Sequence, residues 1–449
     1  MKNRGLVILV AIVAVLAAYI LFYEQHQATT DERQESAHKV FPNFEQDQVT
    51  TIALSSPSVE LNLEKSGGEW RITSPMSFGA DPAAVRGLLE SLGNLNVDRR
   101  LTAEEIDPAS YGLDNPSMRV ELRLNDETVH HLDVGAATPL GSNRAVSTGN
   151  SEVLLCPSSF TTHLLKTLDD WRSKNVVTVV ENGVATIELT TKTERIKLVH
   201  IDENWTLIEP VADRAGPDHI RQMIADLSAL KVDAFVDPAS DLNALGLESP
   251  EYQLLIVPRG PEAPTRLDFG AEREENGVTQ VICRRDGTDI FWVRDTIITP
   301  LSKAGVRWRD PKICSINTWD IERFEILHGE HEIVVDRKEG LWSVSGETAD
   351  PAAIQDLLSA ISDLEAGGYD LINPGTPELG RLVLHLRPLT PDEEAENLEI
   401  IFYEPMTSAG RAMVTVSGRD TVMSVDTSDL ETILIEAEDL LPKTTSGGN

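Results

Sequence analysis

Apolar and polar positions recur along the chain in three segments of the same design. In each segment apolar residues stand at offsets of 0, 3, 4, 7 and 10, the spacing that places side chains on one face of an amphipathic helix. The three stripes are Val85, Leu88, Leu89, Leu92 and Leu95; Ile220, Met223, Ile224, Leu227 and Leu230; and Ile354, Leu357, Leu358, Ile361 and Leu364. Because the spacing between them is nearly constant, they indicate three copies of one structural unit.

A tryptophan precedes each predicted helix. Trp70, Trp205 and Trp342 lie 135 and 137 residues apart. An exposed tryptophan can serve as a platform on which a ligand stacks, but recurrence at the same point of every copy favours packing in the core or against the helix. We therefore expect these three side chains to pack inside their own copies.

The predicted helices also begin alike. Ala-Asp-Pro-Ala-Ala stands at residues 80–84 and again at 349–353, and Ala-Gly-Pro stands at 215–217. An aspartate before the first helical turn accepts a hydrogen bond from a free backbone N–H, and proline in the first turn has no N–H to leave unpaired. We interpret Asp81 and Asp350 as helix caps rather than as catalytic carboxylates.

Short alternating strands surround each helix. In the first copy they are predicted at Val49–Leu54, Val59–Leu63 and Trp70–Ile72 before the helix, and at Arg119–Leu124 and Leu132–Gly135 after it. Two or three strands, a helix, about four strands and a short closing helix are typical of an antiparallel α+β unit. The helix should cover one face of the sheet.

Turns and corners match mainly between the first two copies. Tyr-Gly-Leu-Asp-Asn-Pro at 111–116 corresponds to Leu-Gly-Leu-Glu-Ser-Pro at 245–250, and Leu-Asp-Val-Gly at 132–135 to Leu-Asp-Phe-Gly at 267–270. Both copies close on a Trp-Arg corner, at Trp171 and Trp308. The third copy lacks this corner and the Gly-Leu turn, and terminal repeats are often atypical because they end an array.

The N-terminus predicts a membrane anchor. Gly5–Tyr23 is an uncharged apolar run of 19 residues, long enough to cross most of a bilayer core. Lys2 and Arg4 precede it, which places the N-terminus in the cytoplasm and the copies in the periplasm or outside. A cleaved signal peptide is the alternative, although the run exceeds the usual apolar core of such peptides and no clear cleavage site follows.

The predicted architecture is α+β: a transmembrane helix followed by three tandem antiparallel sheet-plus-helix repeats of about 135 residues. The boundaries are a cytoplasmic tip and signal anchor at 1–23, a polar stalk at 24–39, repeat 1 at 40–174, repeat 2 at 175–312, repeat 3 at 313–443 and a tail at 444–449.

Composition narrows the range of partners. Hydrophobic residues make up 41% of the chain, which supports packed cores, and the net charge of −34 makes nucleic acid an unlikely partner. Of the three cysteines, Cys156 aligns with Val293 and should pack as a small hydrophobe, whereas a Cys283–Cys314 disulfide stays open.

The remaining candidate chemistry is sparse. No serine-nucleophile, phosphate-loop or zinc-protease motif is present, so we assign no catalytic, cofactor-binding or metal residues and no cofactor. His328-Gly-Glu-His331 has a metal-like composition, but in a strand the two histidines should face opposite sides. The pair His130–His131 should also diverge. Carboxylates are too numerous for an acid–base pair to be located.

The aligned tryptophans, the Ala-Asp-Pro helix start, Tyr-Gly-Leu-Asp-Asn-Pro, Leu-Asp-Val-Gly and the Trp-Arg corner resemble the bacterial family called domain of unknown function 4340. The likeness covers nearly all of the chain beyond the predicted anchor and is weakest in the third copy. Members resemble membrane-anchored envelope proteins encoded beside ABC-type export or gliding-motility components. The resemblance implies such a setting and carries no catalytic residues.

We therefore expect a non-enzymatic, membrane-anchored envelope protein that exposes a repeat array for binding or scaffolding, with transporter subunits among its partners. The alternatives are a periplasmic module that binds a glycan or lipid, and a hydrolase with an unfamiliar active site. A concave pocket with converging polar groups would favour the second, and converging carboxylates with raised pKa values would favour the third.

Overall fold

Three antiparallel sheets of nine strands follow one another along the chain in a computed structural model. The structure describes residues 38–442 except 43, 103–106, 140, 151, 238–239, 304, 371–374, 376, 388–396 and 406–409. The chain divides into two compact units, of which the first ends at Lys174 and holds one sheet. The second begins at Asn175 and holds the other two sheets.

Each sheet contributes nine strands in chain order. The first sheet comprises β1 (Val49–Ser55), β2 (Glu60–Ser66), β3 (Glu69–Ser74), β4 (Phe78–Gly79), β5 (Arg99–Leu101), β6 (Met118–Leu124), β7 (Val129–Ala137), β8 (Asn143–Ser147) and β9 (Val153–Pro157). The second comprises β10 (Val184–Thr191), β11 (Arg195–Ile201), β12 (Asn204–Glu209), β13 (Asp213–Arg214), β14 (Val232–Phe235), β15 (Tyr252–Pro258), β16 (Thr265–Glu275), β17 (Val278–Arg285) and β18 (Asp289–Arg294). The third comprises β19 (Ile321–His328), β20 (His331–Lys338), β21 (Leu341–Val344), β22 (Glu347–Thr348), β23 (Gly368–Asp370), β24 (Glu378–Leu386), β25 (Asn397–Tyr403), β26 (Arg411–Val416) and β27 (Arg419–Asp426).

One long helix belongs to each sheet, and short helices follow its last strand. The long helices are α1 (Pro82–Gly93), α4 (Pro217–Ala229) and α6 (Pro351–Asp363). The short ones are α2 (Thr161–Leu164), α3 (Leu168–Trp171), α5 (Ile298–Leu301) and α7 (Thr427–Leu430). The described residues thus confirm repeated antiparallel sheet-plus-helix units.

All three sheets share one strand order. In the first sheet it is β4-β3-β2-β1-β6-β7-β8-β9-β5, and the other two repeat it. The chain forms a four-strand meander, crosses through the helix to the opposite edge, and returns to the centre as the sixth strand. The edge strands have only two to four residues, which leaves little unpaired backbone for edge-to-edge association.

The sequence underestimates the number of strands. Four precede each helix and five follow it, against the predicted two or three and about four. The missed strands are the edge pairs such as β4 and β5, with two and three residues. Such segments are too short to show the alternation that identifies a strand.

The predicted helical stripes form the cores. All fifteen stripe residues are buried, and they fall into three separate clusters, one for each sheet. One detail of the prediction is wrong: the last position of each stripe lies beyond the helix, since α1 ends at Gly93 and Leu95 follows the turn. Leu95 is nevertheless buried, with only 4% of its surface exposed, because the chain turns back over the core there.

The shared turn motifs cover the other face of the sheet in the first two copies. Gly246 adopts φ +68°, and a Cβ at Gly270 would lie 2.4 Å from the carbonyl oxygen of Leu245. The Gly-Leu turn therefore needs the glycine of Leu-Asp-Phe-Gly for its close approach. In the third sheet Tyr403 holds the register position of Gly270, consistent with the missing Gly-Leu turn.

The third copy retains a corner that its sequence conceals. Asp81 N–H donates to the Trp171 carbonyl at 2.8 Å, and Asp350 N–H donates to the Leu440 carbonyl at the same distance. Leu440 thus occupies the place of the corner tryptophan: the third copy lacks the Trp-Arg pair, as expected, but keeps its backbone contact to the helix start. The Leu440 side chain is fully buried in the core of the third copy, where it fills the corner.

The predicted anchor Gly5–Tyr23 and the tail 444–449 lie outside the described residues, as does the stalk apart from its last two residues. Within the described part of the chain, no helix is both long and apolar enough to cross a membrane.

Separate cores predict independent stability. Leu89 and Leu358 are both buried, one in the first core and one in the third. Leu89→Ala and Leu358→Ala should each lower the free energy of unfolding by about 2–5 kcal/mol, because each leaves a cavity. Chemical unfolding of the single and double variants should show additive losses. Strong coupling between the two substitutions would contradict separate cores.

Candidate functional site

A buried charge cluster joins the second and third sheets. Asp213 lies on β13, at the edge of the second sheet, and its side chain is 1% exposed. Arg419, on β27 of the third sheet, donates from Nε to Asp213 Oδ1 at 2.7 Å and from Nη2 to Oδ2 at 3.2 Å. Thr421 Oγ1 donates to Oδ2 at 3.1 Å, and the Arg214 N–H donates to Oδ1 at 2.8 Å.

A second arginine and a tyrosine complete the cluster. Arg309 Nη1 lies 3.7 Å from Asp213 Oδ2, and its guanidinium is 4.8 Å from the centre of the Tyr369 ring. The Tyr369 hydroxyl donates to the Asp310 carbonyl at 3.0 Å. Burial raises the pKa of Tyr369, so this hydroxyl stays protonated and able to donate at neutral pH.

The same arginines hold the segment that connects the two sheets. Arg419 Nη1 donates to the Lys312 carbonyl at 2.9 Å, and its Nη2 donates to the Asp310 carbonyl at 3.0 Å. Arg214 Nη2 donates to the Ile313 carbonyl at 3.0 Å. These contacts make the cluster a structural junction, because both oxygens of Asp213 already accept hydrogen bonds from side chains or backbone.

The sequence alone does not reveal this junction. Asp213 aligns with Phe78 of the first copy and with Glu347 of the third, and Glu347 is exposed. An acid at this position therefore does not by itself indicate a buried partner. The partner itself, Arg419, lies more than two hundred residues away and could not be identified from spacing.

The predicted helix caps are confirmed. Asp81 Oδ1 accepts from the Ala84 N–H at 2.7 Å, and Asp350 Oδ1 accepts from the Ala352 N–H at 3.0 Å. Both carboxylates are therefore engaged at helix starts. Gly216, at the same position in the second copy, precedes a proline and provides no side-chain cap.

The aligned tryptophans pack as expected. Trp205 is 4% exposed within the second core, whereas Trp70 and Trp342 are partly buried against the first and third cores. His200 stacks on the Trp205 ring with centroids 4.5 Å apart. Each tryptophan carbonyl also accepts the N–H of the alanine before the helix, at 2.9–3.1 Å.

The histidine pairs differ from one another. His328 and His331 are direct partners across the β19–β20 turn, so they lie on the same face and the expectation of opposite faces was wrong. Only two residues, 329 and 330, form the turn between them, so residues three apart in the sequence lie directly opposite each other on the two strands. Across the described residues, no group of three or more His, Cys, Asp or Glu is arranged to hold a metal ion.

His130 and His131 are neighbours on β7 and have different surroundings. His130 packs against Phe41, with ring centroids 5.1 Å apart, and burial lowers its pKa. His131 Nδ1 lies 3.6 Å from Glu121 Oε2. This divergence matches the expectation for consecutive strand residues.

All three cysteines are free and buried. Cys283 and Cys314 are therefore not bonded to one another. Cys156 and Val293 are both fully buried in the last long strand of their sheets, as their alignment predicts. Burial raises the pKa of Cys156 to about 12 and that of Cys314 to about 11, and it also raises the pKa of Cys283.

Two clefts lie at equivalent places beside the long helices of the first and second copies. The first, about 370 Å³, is lined by Glu90, Asn94 and His163 among others. The second, about 350 Å³, is lined by Lys231, Arg294 and further residues. The two clefts are therefore similar in position and volume but differ in the charged groups that line them.

These observations define a tandem-repeat protein built from sheet-plus-helix units. The chain belongs to the family described as domain of unknown function DUF4340, whose model matches residues 70–213 and again 205–382. The resemblance inferred from the motifs is thereby confirmed. Both matches begin at an aligned tryptophan and continue into the following sheet.

Comparison with curated proteins finds no match. Among solved structures, the crystal structure of the DNA polymerase III subunit beta from Pseudomonas aeruginosa aligns over 88% of this chain and 96% of that chain, with 9% identity and a TM-score of 0.14.

The junction predicts a large effect from a small substitution. Asp213→Asn should lower the free energy of unfolding by about 3–5 kcal/mol, because it leaves two buried arginines without a counter-charge. Chemical unfolding is the measurement. Asp218→Asn is the matched control, since Asp218 pairs with Arg221 at the surface and its side chain is 90% exposed. Equal losses in the two variants would contradict the structural role of the cluster.

The raised thiol pKa values predict chemical inertness. The thiolate is the reactive form, so buried thiols that stay protonated should resist a disulfide reagent at about pH 8. We expect no labelling of the native protein and labelling of all three cysteines after unfolding in guanidinium chloride. Rapid labelling of any thiol in the native protein would show that its surroundings are open.

Proposed function

We propose that this protein is a non-enzymatic, membrane-anchored envelope protein whose sheet units bind or scaffold partners. Its more specific form is an accessory subunit of an ABC-type export or gliding-motility-like system. The observation that carries the proposal is the division of labour among the repeated residues. The aligned tryptophans, caps and corners all support packing, whereas the surfaces differ from copy to copy.

The arrangement in the envelope follows from the N-terminal sequence. Gly5–Tyr23 anchors the chain in the inner membrane, with Lys2 and Arg4 on the cytoplasmic side and the sheets outside. Ala11, Ala14, Ala17 and Ala18 give the anchor a small-residue side suited to close packing against transporter helices. The net charge of −34 keeps the exported array away from anionic surfaces.

A periplasmic binding module for a glycan or lipid is the second candidate. The clefts at matched positions in the first two copies favour it, since each is a concave site with polar groups in its lining. The support is weaker than it would be if both clefts had the same lining residues, because the charged groups of the two clefts differ.

Anchor replacement tests the accessory-subunit proposal. One chain carries an unrelated spanning helix in place of Gly5–Tyr23, and a second keeps the native anchor without the sheets. Transporter subunits should be recovered with the intact chain from native membranes and lost with at least one of these two chains. An intact chain with a single surface substitution, Glu127→Gln, is the control. Unchanged recovery with both altered chains would contradict the proposal.

A further inference from the structure

The third sheet exposes an aromatic corner, formed by Trp319, Arg337, Leu341 and Trp342. Trp319 lies in a short 3₁₀ turn before β19 and is 71% exposed, and Leu341 begins β21 and is 70% exposed. Leaving side chains this apolar in water costs free energy relative to burying them. An exposed tryptophan therefore needs a reason that its own copy does not supply.

The other two copies hold polar residues at the same places. Trp319 aligns with Asp47 and Asn182, the middle residues of the corresponding 3₁₀ turns. Leu341, which directly precedes the aligned tryptophan, corresponds to Glu69 and Asn204. The fold thus accepts polar side chains at both positions. The two apolar residues are a property of the third copy alone.

Arg337 binds the backbone of the 3₁₀ turn, and this contact does not depend on the apolar side chains of Trp319 and Leu341. In the first copy Lys65 lies across from Trp70 and reaches the Asp47 carbonyl at 3.4 Å. In the third copy Arg337 lies across from Trp342 and donates from Nη1 to the Trp319 carbonyl at 3.2 Å. This backbone contact is common to both copies, so it does not account for the indole ring of Trp319.

The guanidinium of Arg337 lies between two aromatic rings. Its central carbon is 5.5 Å from the ring of Trp319 and 5.5 Å from that of Trp342. Among the described residues, no carboxylate lies within ion-pair distance of Arg337. Within the part of the chain that the structure describes, the corner therefore combines an open aromatic ring with a positive charge that has no carboxylate partner, in a chain whose net charge is −34.

We propose that the aromatic corner is the docking site for a protein partner that presents an apolar side chain beside a carboxylate. Tryptophan and arginine are the residue types that most often dominate the energy of protein interfaces. A partner carboxylate would pair with Arg337, and a partner apolar side chain would cover Trp319. An anionic membrane is a poorer fit, because the acidic chain as a whole would be repelled from it. The inference rests on the proposed scaffolding function and names its contact surface.

Site-specific photo-crosslinking in native membranes tests the surface. A photoreactive phenylalanine derivative replaces Leu341 in the full chain, and the same derivative replaces Asn204 as the matched site in the second copy. We expect one discrete protein adduct at position 341, no adduct at position 204, and loss of the adduct when Arg337→Glu is added. No adduct, equal adducts at both sites, an adduct to lipid, or an adduct with the mass of two copies of this chain would overturn the proposal.

A second variant separates docking from folding. Trp319→Asn combined with Leu341→Asn gives the third copy the residues of the second, and recovery of the crosslinked partner should fall roughly tenfold or more. The unfolding midpoint should not change, since both side chains are exposed. Ile201→Lys is the control: Ile201 is 50% exposed, aligns with Lys338, and should leave recovery unchanged.

The two proposals fail in distinguishable ways. If no protein adduct forms at position 341 while transporter subunits are still recovered with the intact chain, the docking surface is wrong and the accessory function stands. If the adduct forms as expected while no transporter subunit is recovered with the intact chain, the accessory function is wrong and the docking surface stands.

Discussion

Each copy depends on the docking of its long helix across one face of a nine-stranded sheet. Two successive backbone N–H groups before the helix fix that position. In the first copy the Ala80 N–H donates to the Trp70 carbonyl and the Asp81 N–H to the Trp171 carbonyl. The acceptors come from the third strand and from the end of the copy, so these bonds close the unit on itself. The second and third copies contain the same two bonds.

The apolar stripe and these two hydrogen bonds contribute different amounts of free energy and therefore have different roles. A buried leucine or isoleucine contributes about 1.5–3 kcal/mol, so five of them supply most of the stability of the helix–sheet contact. A backbone hydrogen bond contributes about 1 kcal/mol net, and leaving its groups buried and unpaired costs more. Burial therefore drives docking, while the two bonds determine where along the sheet the helix begins.

This arrangement explains what the sequence could predict. Local signals such as the stripe, the Asp-Pro start and the tryptophan lie within one segment, and they identified the copies, the caps and the antiparallel class. Long-range partners were not accessible in the same way. Leu440 replaces a tryptophan in the third copy because only its carbonyl and its bulk are needed, and Asp213 pairs with an arginine from a different sheet. The His328–His331 register depended on a turn length that composition does not reveal.

The same division bears on function. Residues shared by the copies hold helices and corners, whereas the changes at Trp319 and Leu341 lie at the surface and the change at Asp213 lies at the junction of the second and third sheets. Under the proposed scaffolding function, a constant frame with varied surfaces would let different copies bind different partners. In the third copy, the exposed Trp319 beside Arg337 is the clearest such difference.

Hydrogen exchange of the six amides before the long helices tests this account most directly. They belong to Ala80 and Asp81, Ala215 and Gly216, and Ala349 and Asp350. If these bonds close every copy, the six amides should exchange as slowly as those of the central strands β1, β10 and β19. Exchange as fast as at the hairpin turns, in any of the three copies, would contradict the claim that one docking interaction organises all three.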